Sequence, residues 1–355
     1  MLEDLTVILT LKGRENFSQR WLDYMSQQSF NCSIIIADGD QDSNLQTILS
    51  QNNYLNLKIV YKKFNDTSWE DYYQKVNSCL KYVETKYVMI SDNDDFLIKP
   101  GIQKIIGFLD QNDSYVSAGS NILFFSLDNK QNAISGKKCF FSELYSSPRP
   151  EEPLDCYDLQ LRSVFQHFQP NFYNIYRTNT LRTIAEELSE CNFSDPAVAE
   201  IYQQLRVPLI GKQKKILECV HYIRQSGTSS QGSSFTMSLI EKNLSQDIRE
   251  LVKHISAKYV VAYPEDQANI SEKIMNYYSA YLTHYIAHSH LRFRFPLIFK
   301  LKESIAKFRV FKIIYTFYLH AIHLRLLRNV KKSMGPSNFQ DFRHEFNLIF
   351  NFMKK

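Results

Sequence analysis

The sequence is short of the features that mark several common protein classes. It has ten glycines in 355 residues, and no Gly-x-Gly-x-x-Gly follows the first strand-like segment, which speaks against a dinucleotide-binding domain. Six cysteines lie at positions 32, 79, 139, 156, 191 and 219, and no two form a Cys-x-x-Cys pair. Zinc and redox motifs therefore have no support. The chain opens on a strand-like segment rather than a secretory leader, so the cysteines are expected as reduced core thiols of a cytosolic protein. No apolar run reaches the ~18–20 residues of a membrane-spanning helix, and no internal repeat is visible.

What is present is ordinary globular material. Hydrophobic residues make up 44% and charged residues 22%, enough for a sizeable core. Aromatics are plentiful, with 22 Tyr and 25 Phe. The net charge of +5 is unevenly spread: residues 291–355 hold fourteen Lys/Arg against three Asp/Glu, so that segment carries +11 and the preceding 290 residues −6. A slightly acidic body with a basic tail suggests an anionic partner for the tail.

Periodicity gives the element order. Leu5 to Leu11 reads as a buried strand, 15–28 as an amphipathic helix and Ser33 to Ala37 as a second strand. A helix over 43–52, a strand over Leu57 to Tyr61, a helix over Trp69 to Thr85 and a strand over Tyr87 to Ile90 follow. That alternation predicts an α/β fold with a mostly parallel sheet flanked by helices. Residues 100–235 mix strands, loops and helices, with a proline-rich loop at 146–153 and a Gly/Ser-rich stretch at 226–234. From 236 the pattern is helical, interrupted at Tyr263-Pro264. Two regions are expected: a catalytic domain over 1–232 and a basic, helical C-terminal region over 233–355.

In such sheets ligands bind beyond the carboxyl ends of the strands. Thr10, Lys12 and Arg14 stand there after the first strand, Asp38 after the second, and Ser91-Asp92-Asn93-Asp94-Asp95 after the fourth. Three carboxylates within four residues repel one another in a closed cleft, and a hard divalent cation removes that penalty. Mg²⁺ or Mn²⁺ held there would stabilise a departing diphosphate. The same residues also suit a solvated turn that caps the next helix.

Four segments together resemble the family-2-like GT-A glycosyltransferases, over roughly residues 4–110 and more weakly to about 232. LTVILTLKGR stands where those enzymes have a strand such as VTVVIPTYNR, and IIIADGDQD where they have one like IIVVDDGS. Val76-Asn77-Ser78-Cys79-Leu80 occupies the place of an Asn-x-Gly helix element, and VMISDNDDF that of the strand ending in Asp-x-Asp-Asp. The opening is most similar to a bacterial subgroup beginning LTLKGR. The first strand end lacks the usual Pro, and Cys79 replaces the usual Gly, so Asn77 is read as structural.

The resemblance implies a GT-A fold and an inverting, metal-dependent transfer from a nucleotide sugar to a glycan or lipid-linked acceptor, in bacterial surface polysaccharide synthesis. Asp38 would accept a hydrogen bond from the base, Asp92 would face ribose or metal, and Asp94 would hold Mn²⁺ or Mg²⁺. Thr10, Lys12, Arg14 and Asn93 join the donor side. The family places a Glu-Asp pair about eleven residues before a Gly; eleven before Gly211 is Glu200, preceded by Ala199. Glu200 is the first candidate base and Asp195 the second, although Asp195-Pro196 also reads as a helix cap. Toward the end of the domain, His221 is a candidate metal ligand and Arg224 a candidate phosphate contact.

In residues 291–332 Phe, Leu and Ile alternate with eleven Lys/Arg, opposed only by Glu303. Such a helix suits the headgroup region of an anionic membrane, giving a cytoplasmic protein peripheral on the inner face. A packed subdomain with a basic face is the other reading. No nucleic-acid-binding motif accompanies the charge. Competing functions are a sugar nucleotidyltransferase, which would want a Gly-rich loop where LTLKGREN stands, and a catalytically degenerate, membrane-associated GT-A module, which the incomplete Glu-Asp pair allows.

Overall fold

The computed structural model describes residues 2–52, 54–127, 134–136, 139–145, 157–166, 171–226, 242–264, 269–281 and 309–354. Cys156, the proline-rich loop at 146–153, residues 227–234 of the Gly/Ser stretch and residues 291–308 of the basic tail lie outside them.

β1 (Leu5–Leu11) is buried along its whole length, as a β-branched run in the middle of a parallel sheet should be. It pairs in parallel with β2 (Ser33–Asp38) on one side and β4 (Tyr87–Asp92) on the other. β3 (Lys58–Lys63) closes that edge beside β2. Its lysines at 58, 62 and 63 keep the edge charged and discourage strand addition. Beyond β4 the sheet becomes mixed. β5 (Phe96–Leu97), β6 (Tyr115–Leu127), β8 (Ile175–Arg177) and β9 (Lys212–Gln225) complete the order β3-β2-β1-β4-β8-β6-β9-β5, and β7 (Cys139–Tyr145) lies antiparallel along β6. The register sets Thr10 beside Asp92 and Leu11 beside Asp38, so the polar strand ends open on one rim of the sheet.

Two cores follow from the strand alternation. Val7, Leu9, Ile34 and Ile36 face one side, where α1 (Glu15–Gln27), α2 (Leu45–Gln51) and α4 (Lys99–Gln111) pack with α10 (Arg309–Met334) and α11 (Pro336–Met353). Ile8, Ile35 and Ile90 face the other. That side is covered by α3 (Trp69–Leu80), α5 (Tyr157–Gln166), α6 (Thr178–Cys191), α7 (Pro196–Arg206), α8 (Lys242–Ala262) and α9 (270–281). The helices after residue 242 thus join both layers. His323 of α10 accepts the Phe141 N–H of β7 through Nδ1 at 3.0 Å, and Lys258 of α8 pairs with Glu187 of α6 at 2.8 Å.

α3 begins at a capping box, Ser68 with Asp71. It ends at Leu80, five residues before the expected Thr85. Tyr82 and Val83 bond back to Cys79 and Leu80 in a tight turn that delivers the chain into β4. Cys32, Cys79, Cys139, Cys191 and Cys219 are buried free thiols.

Candidate active site at the strand ends

The chain leaves β1 through Gly13 and Arg14, both left-handed, with φ of 66° and 56°. Glycine tolerates this at no cost, whereas arginine does so at about 1–3 kcal/mol. The turn aims Arg14 at the end of β4, and the Arg14 carbonyl accepts the Phe17 and Ser18 amides of α1.

At the end of β4, Asp92 accepts hydrogen bonds from Thr10 Oγ1 at 3.3 Å and Tyr173 O–H at 2.8 Å, while its amide donates to the Tyr222 hydroxyl at 3.1 Å. Asp94 accepts from Arg14 Nη1 at 2.9 Å. Asp95 Oδ1 accepts the Gln225 amide at 2.9 Å. Its Oδ2 lies 3.4 Å from Arg224 Nε, an ion pair whose geometry makes no hydrogen bond for either atom. The carboxylates of Asp92, Asp94 and Asp95 each place an oxygen within 4.8 Å of the others. Burial, then the charge of Asp94, pushes the Asp92 carboxyl up; the same causes push Asp95 well up.

Arg20 supports this turn from beneath. Its guanidinium lies between the rings of Phe17 and Phe96, 4.8 Å from each, and donates to Asp94 O, Gln225 Oε1 and Ile134 O at 2.7, 2.8 and 3.1 Å. Arg224 stacks on Tyr173 at 4.6 Å and on Phe124 at 5.4 Å.

Two strands over, beyond β1, Asp38 is buried and accepts from the Asp40 amide at 3.0 Å and Tyr61 O–H at 2.9 Å. Lys12 donates to the Asp66 carbonyl, and the buried Lys75 donates to the Asp66 carboxylate and to Leu11 O. Gly39 is required here: a Cβ on it would stand 2.1 Å from Asp66 Oδ2. Thr10, Lys12, Arg14, Asp38, Asp92, Asp94 and Arg224 are therefore all arranged along the strand-end rim.

Three expected site residues do something else. Asn93 points down: its amide donates to Ser18 Oγ at 2.9 Å, tying the acidic turn to α1 rather than reaching a donor. His221 is buried, with Nδ1 2.8 Å from Ser120 Oγ and Nε2 2.9 Å from the Tyr173 carbonyl. Both ring nitrogens are occupied and none is left for a metal. Burial lowers its pKa to about 4. Strand alternation explains this, because Tyr222 and Arg224 share the face toward the acidic turn and His221 takes the opposite one. Asp195 caps α7, accepting the Ala197 amide at 2.8 Å, and is buried against Asp247. That leaves Glu200 as the candidate base. It stands on α7 within electrostatic range of Tyr72 and Tyr145, and the Tyr72 hydroxyl donates to Thr10 at 3.4 Å.

Arg20, Lys75, Asp66, Tyr173 and Tyr222 were not read from the sequence. Two carried a signal: Arg20 falls in the apolar stripe Phe17–Trp21–Tyr24, and Lys75 in the stripe Tyr72–Val76–Cys79. A charge on a buried helix face needs a partner.

Residues 6–168 match the model of Glycosyl transferase family 2. No curated protein sequence matches the chain. Among solved structures, S. aureus TarS 1-349 in complex with UDP-GlcNAc is similar at 16% identity, covering 78% of this chain and 72% of that one, with a TM-score of 0.50. The longer S. aureus TarS chain is similar at 17% identity and TM-score 0.47; the match covers 79% of this chain but only 43% of that one. The mannosyltransferase PcManGT from Pyrobaculum calidifontis, in complex with GDP-Man and Mn²⁺, is similar at 11% identity and TM-score 0.43, over 90% and 85% of the two chains. Residues 6–168, a little under half of the chain, are thus similar to Glycosyl transferase family 2, and the fold of the chain is similar to that of TarS 1-349.

Proposed function

We propose that the chain transfers a sugar, with inversion and with the help of a divalent cation, from a nucleotide-sugar donor to a glycan or lipid-linked acceptor, as in bacterial surface polysaccharide synthesis. The observation that carries this reading is the convergence of Asp92, Asp94 and Asp95 within 4.8 Å at the end of β4. An all-oxygen, all-carboxylate donor set fits Mn²⁺ or Mg²⁺, and the Asp95 Oδ2 atom, buried without a hydrogen bond, fits a missing cation. TarS 1-349 was solved with UDP-GlcNAc, which makes a nucleotide sugar the first ligand to try.

When bound, the cation supplies charge stabilisation to the departing nucleoside diphosphate. The protein's own residues do the rest. Asp94 and Asp92 would hold the cation, and Tyr173, Tyr222 and Arg20 fix the turn that carries them. Asp38 faces the nucleoside beside Lys12. Arg14 and Arg224 bear on the diphosphate. Glu200 accepts the proton of the attacking acceptor hydroxyl as the sugar–phosphate bond breaks.

The basic C-terminal region is assigned to an anionic membrane surface, placing the enzyme peripherally on the cytoplasmic face. Among the described residues, no helix is long and apolar enough to cross a membrane. On α10, Arg325, Arg328, Lys331 and Lys332 are exposed beside Leu324. Sedimentation of the full chain with phosphatidylglycerol vesicles, lost in neutral vesicles, is the expected result; equal behaviour with both overturns this assignment.

The transferase reading is tested by screening nucleotide sugars for Mn²⁺-dependent release of nucleoside diphosphate. Release with one donor, abolished by chelation, supports it. Folded protein that releases none from a full panel of uridine, guanosine and cytidine donors contradicts it.

A further inference from the structure

Three arginines surround the acidic turn, and they are held in different ways. Arg20 is buried and fixed by acceptors on three separate segments. Arg224 is clamped over two aromatic rings. Arg14 stands at the rim. Its side chain is 37% exposed, against 8% for its partner Asp94, and its guanidinium carbon lies 5.6 Å from the centre of the Phe17 ring. Its backbone is held at φ 56° in the turn below Asn93, whose amide lies 3.5 and 3.4 Å from the Gly13 and Arg14 carbonyls. The chain tolerates a strained residue here, and that residue's cation rests on one of the three clustered carboxylates.

A guanidinium and a divalent cation are alternative ways of neutralising the same carboxylate. Asp94 Oδ2, bonded to Arg14 Nη1 at 2.9 Å, belongs to the three-carboxylate group. We propose that Arg14 is an exchangeable counter-ion: it neutralises Asp94 while the cluster holds no metal and swings to the diphosphate of the donor when the divalent cation takes Asp94. This rests on the transferase reading above and adds the order of events at its metal site. No covalent bond changes; one ion pair is replaced by two. Arg14 has the exposure for the exchange, and its fork suits phosphate oxygens. The turn keeps the backbone fixed while the side chain moves. Metal and diphosphate then bind cooperatively, because the group that each displaces or recruits is the same guanidinium.

The test compares Arg14→Ala and Arg14→Lys with the wild type, all three having a non-glycine residue at the left-handed position. Mn²⁺ affinity is read by electron paramagnetic resonance without nucleotide, and binding of UDP and GDP by calorimetry at saturating Mn²⁺. Exchange predicts opposite signs. Arg14→Ala should bind Mn²⁺ alone roughly two- to fivefold more tightly, as expected for removing a part-exposed competing charge. It should bind the Mn²⁺-loaded diphosphate roughly tenfold less tightly, having lost a charge-assisted fork. Arg14→Lys should leave Mn²⁺ affinity near wild type and still weaken the diphosphate. Mn²⁺ affinity unchanged or lowered in Arg14→Ala overturns the exchange, as does unchanged diphosphate affinity. Absence of Mn²⁺ binding by the wild type overturns the metal reading of the cluster itself, a distinguishable failure.

Discussion

Two neighbouring sites on the same rim bury carboxylates, and they treat them differently. At the end of β2, Asp66 is 6% exposed and Lys75 1% exposed, and the two are in direct contact inside the chain. Lys75 also bonds Leu11 O, so α3, β1 and the loop after β3 are joined at that point. Two strands away, across β1, Asp92, Asp94 and Asp95 face three arginines, yet among the described residues only Arg14 of the three makes a direct hydrogen bond to one of these carboxylates. Arg20 spends its donors on carbonyl-type oxygens, and Arg224 sits 3.4 Å from Asp95 without bonding it. The first site is closed by its own charges and is architectural. Each site leaves one carboxylate oxygen buried without a hydrogen bond, Asp66 Oδ1 and Asp95 Oδ2, but the second gathers three carboxylates within 4.8 Å, which is how a site for an added cation should look.

The comparison implies that substitutions at the open site change rate, and substitutions at the closed site change stability. Glu200→Gln should lower kcat by about 10²–10⁴-fold, the usual contribution of a positioned base, with donor affinity within about twofold of wild type. A steady-state profile with kcat unchanged would remove Glu200 from the chemistry. Lys75→Met leaves Asp66 buried and unpaired and should cost about 3–5 kcal/mol in urea unfolding. Adding Asp66→Asn should recover much of that loss; a single variant as stable as wild type would break the contrast between the two sites.

The smallest effect concerns His221, which the sequence groups with the open site and the structure places in the core. Burial depresses its pKa from 6.5 to about 4, so the folded protein holds it neutral. The unfolded chain takes up a proton at this residue below pH 6.5, and stability therefore falls as pH drops from 6.5 toward about 4. Over that window, His221→Gln should lose roughly 5 °C less in Tm than wild type. Equal losses would mean that the histidine does not contribute.

Much of this architecture was legible because the signals are local. β1, β2 and β4 are short β-branched runs, and a strand that ends in Asp92 and Asp94 declares both its direction and its chemistry. Side-chain direction was harder to read. Asn93 and His221 have the right residue types for a site but sit on the wrong side of a turn and of a strand. Asp195 took the cap that its Pro196 neighbour also suggested. Tyr173 was beyond local reading: it reaches Asp92 only because β8 runs antiparallel beside β4 and carries the preceding residues to the strand end. Arg20 and Lys75 were within reach, as single charges on otherwise apolar helix stripes.

On the proposed function, the acidic turn is an open cation site and not a capped loop. Titrating Mn²⁺ into the wild type and into Asp94→Ala, with free Mn²⁺ read by electron paramagnetic resonance, tests it most directly. Saturable binding of one Mn²⁺ by the wild type, lost in a variant that melts at the same temperature, is the predicted result. Equal binding by both proteins, or none by either, would contradict the account.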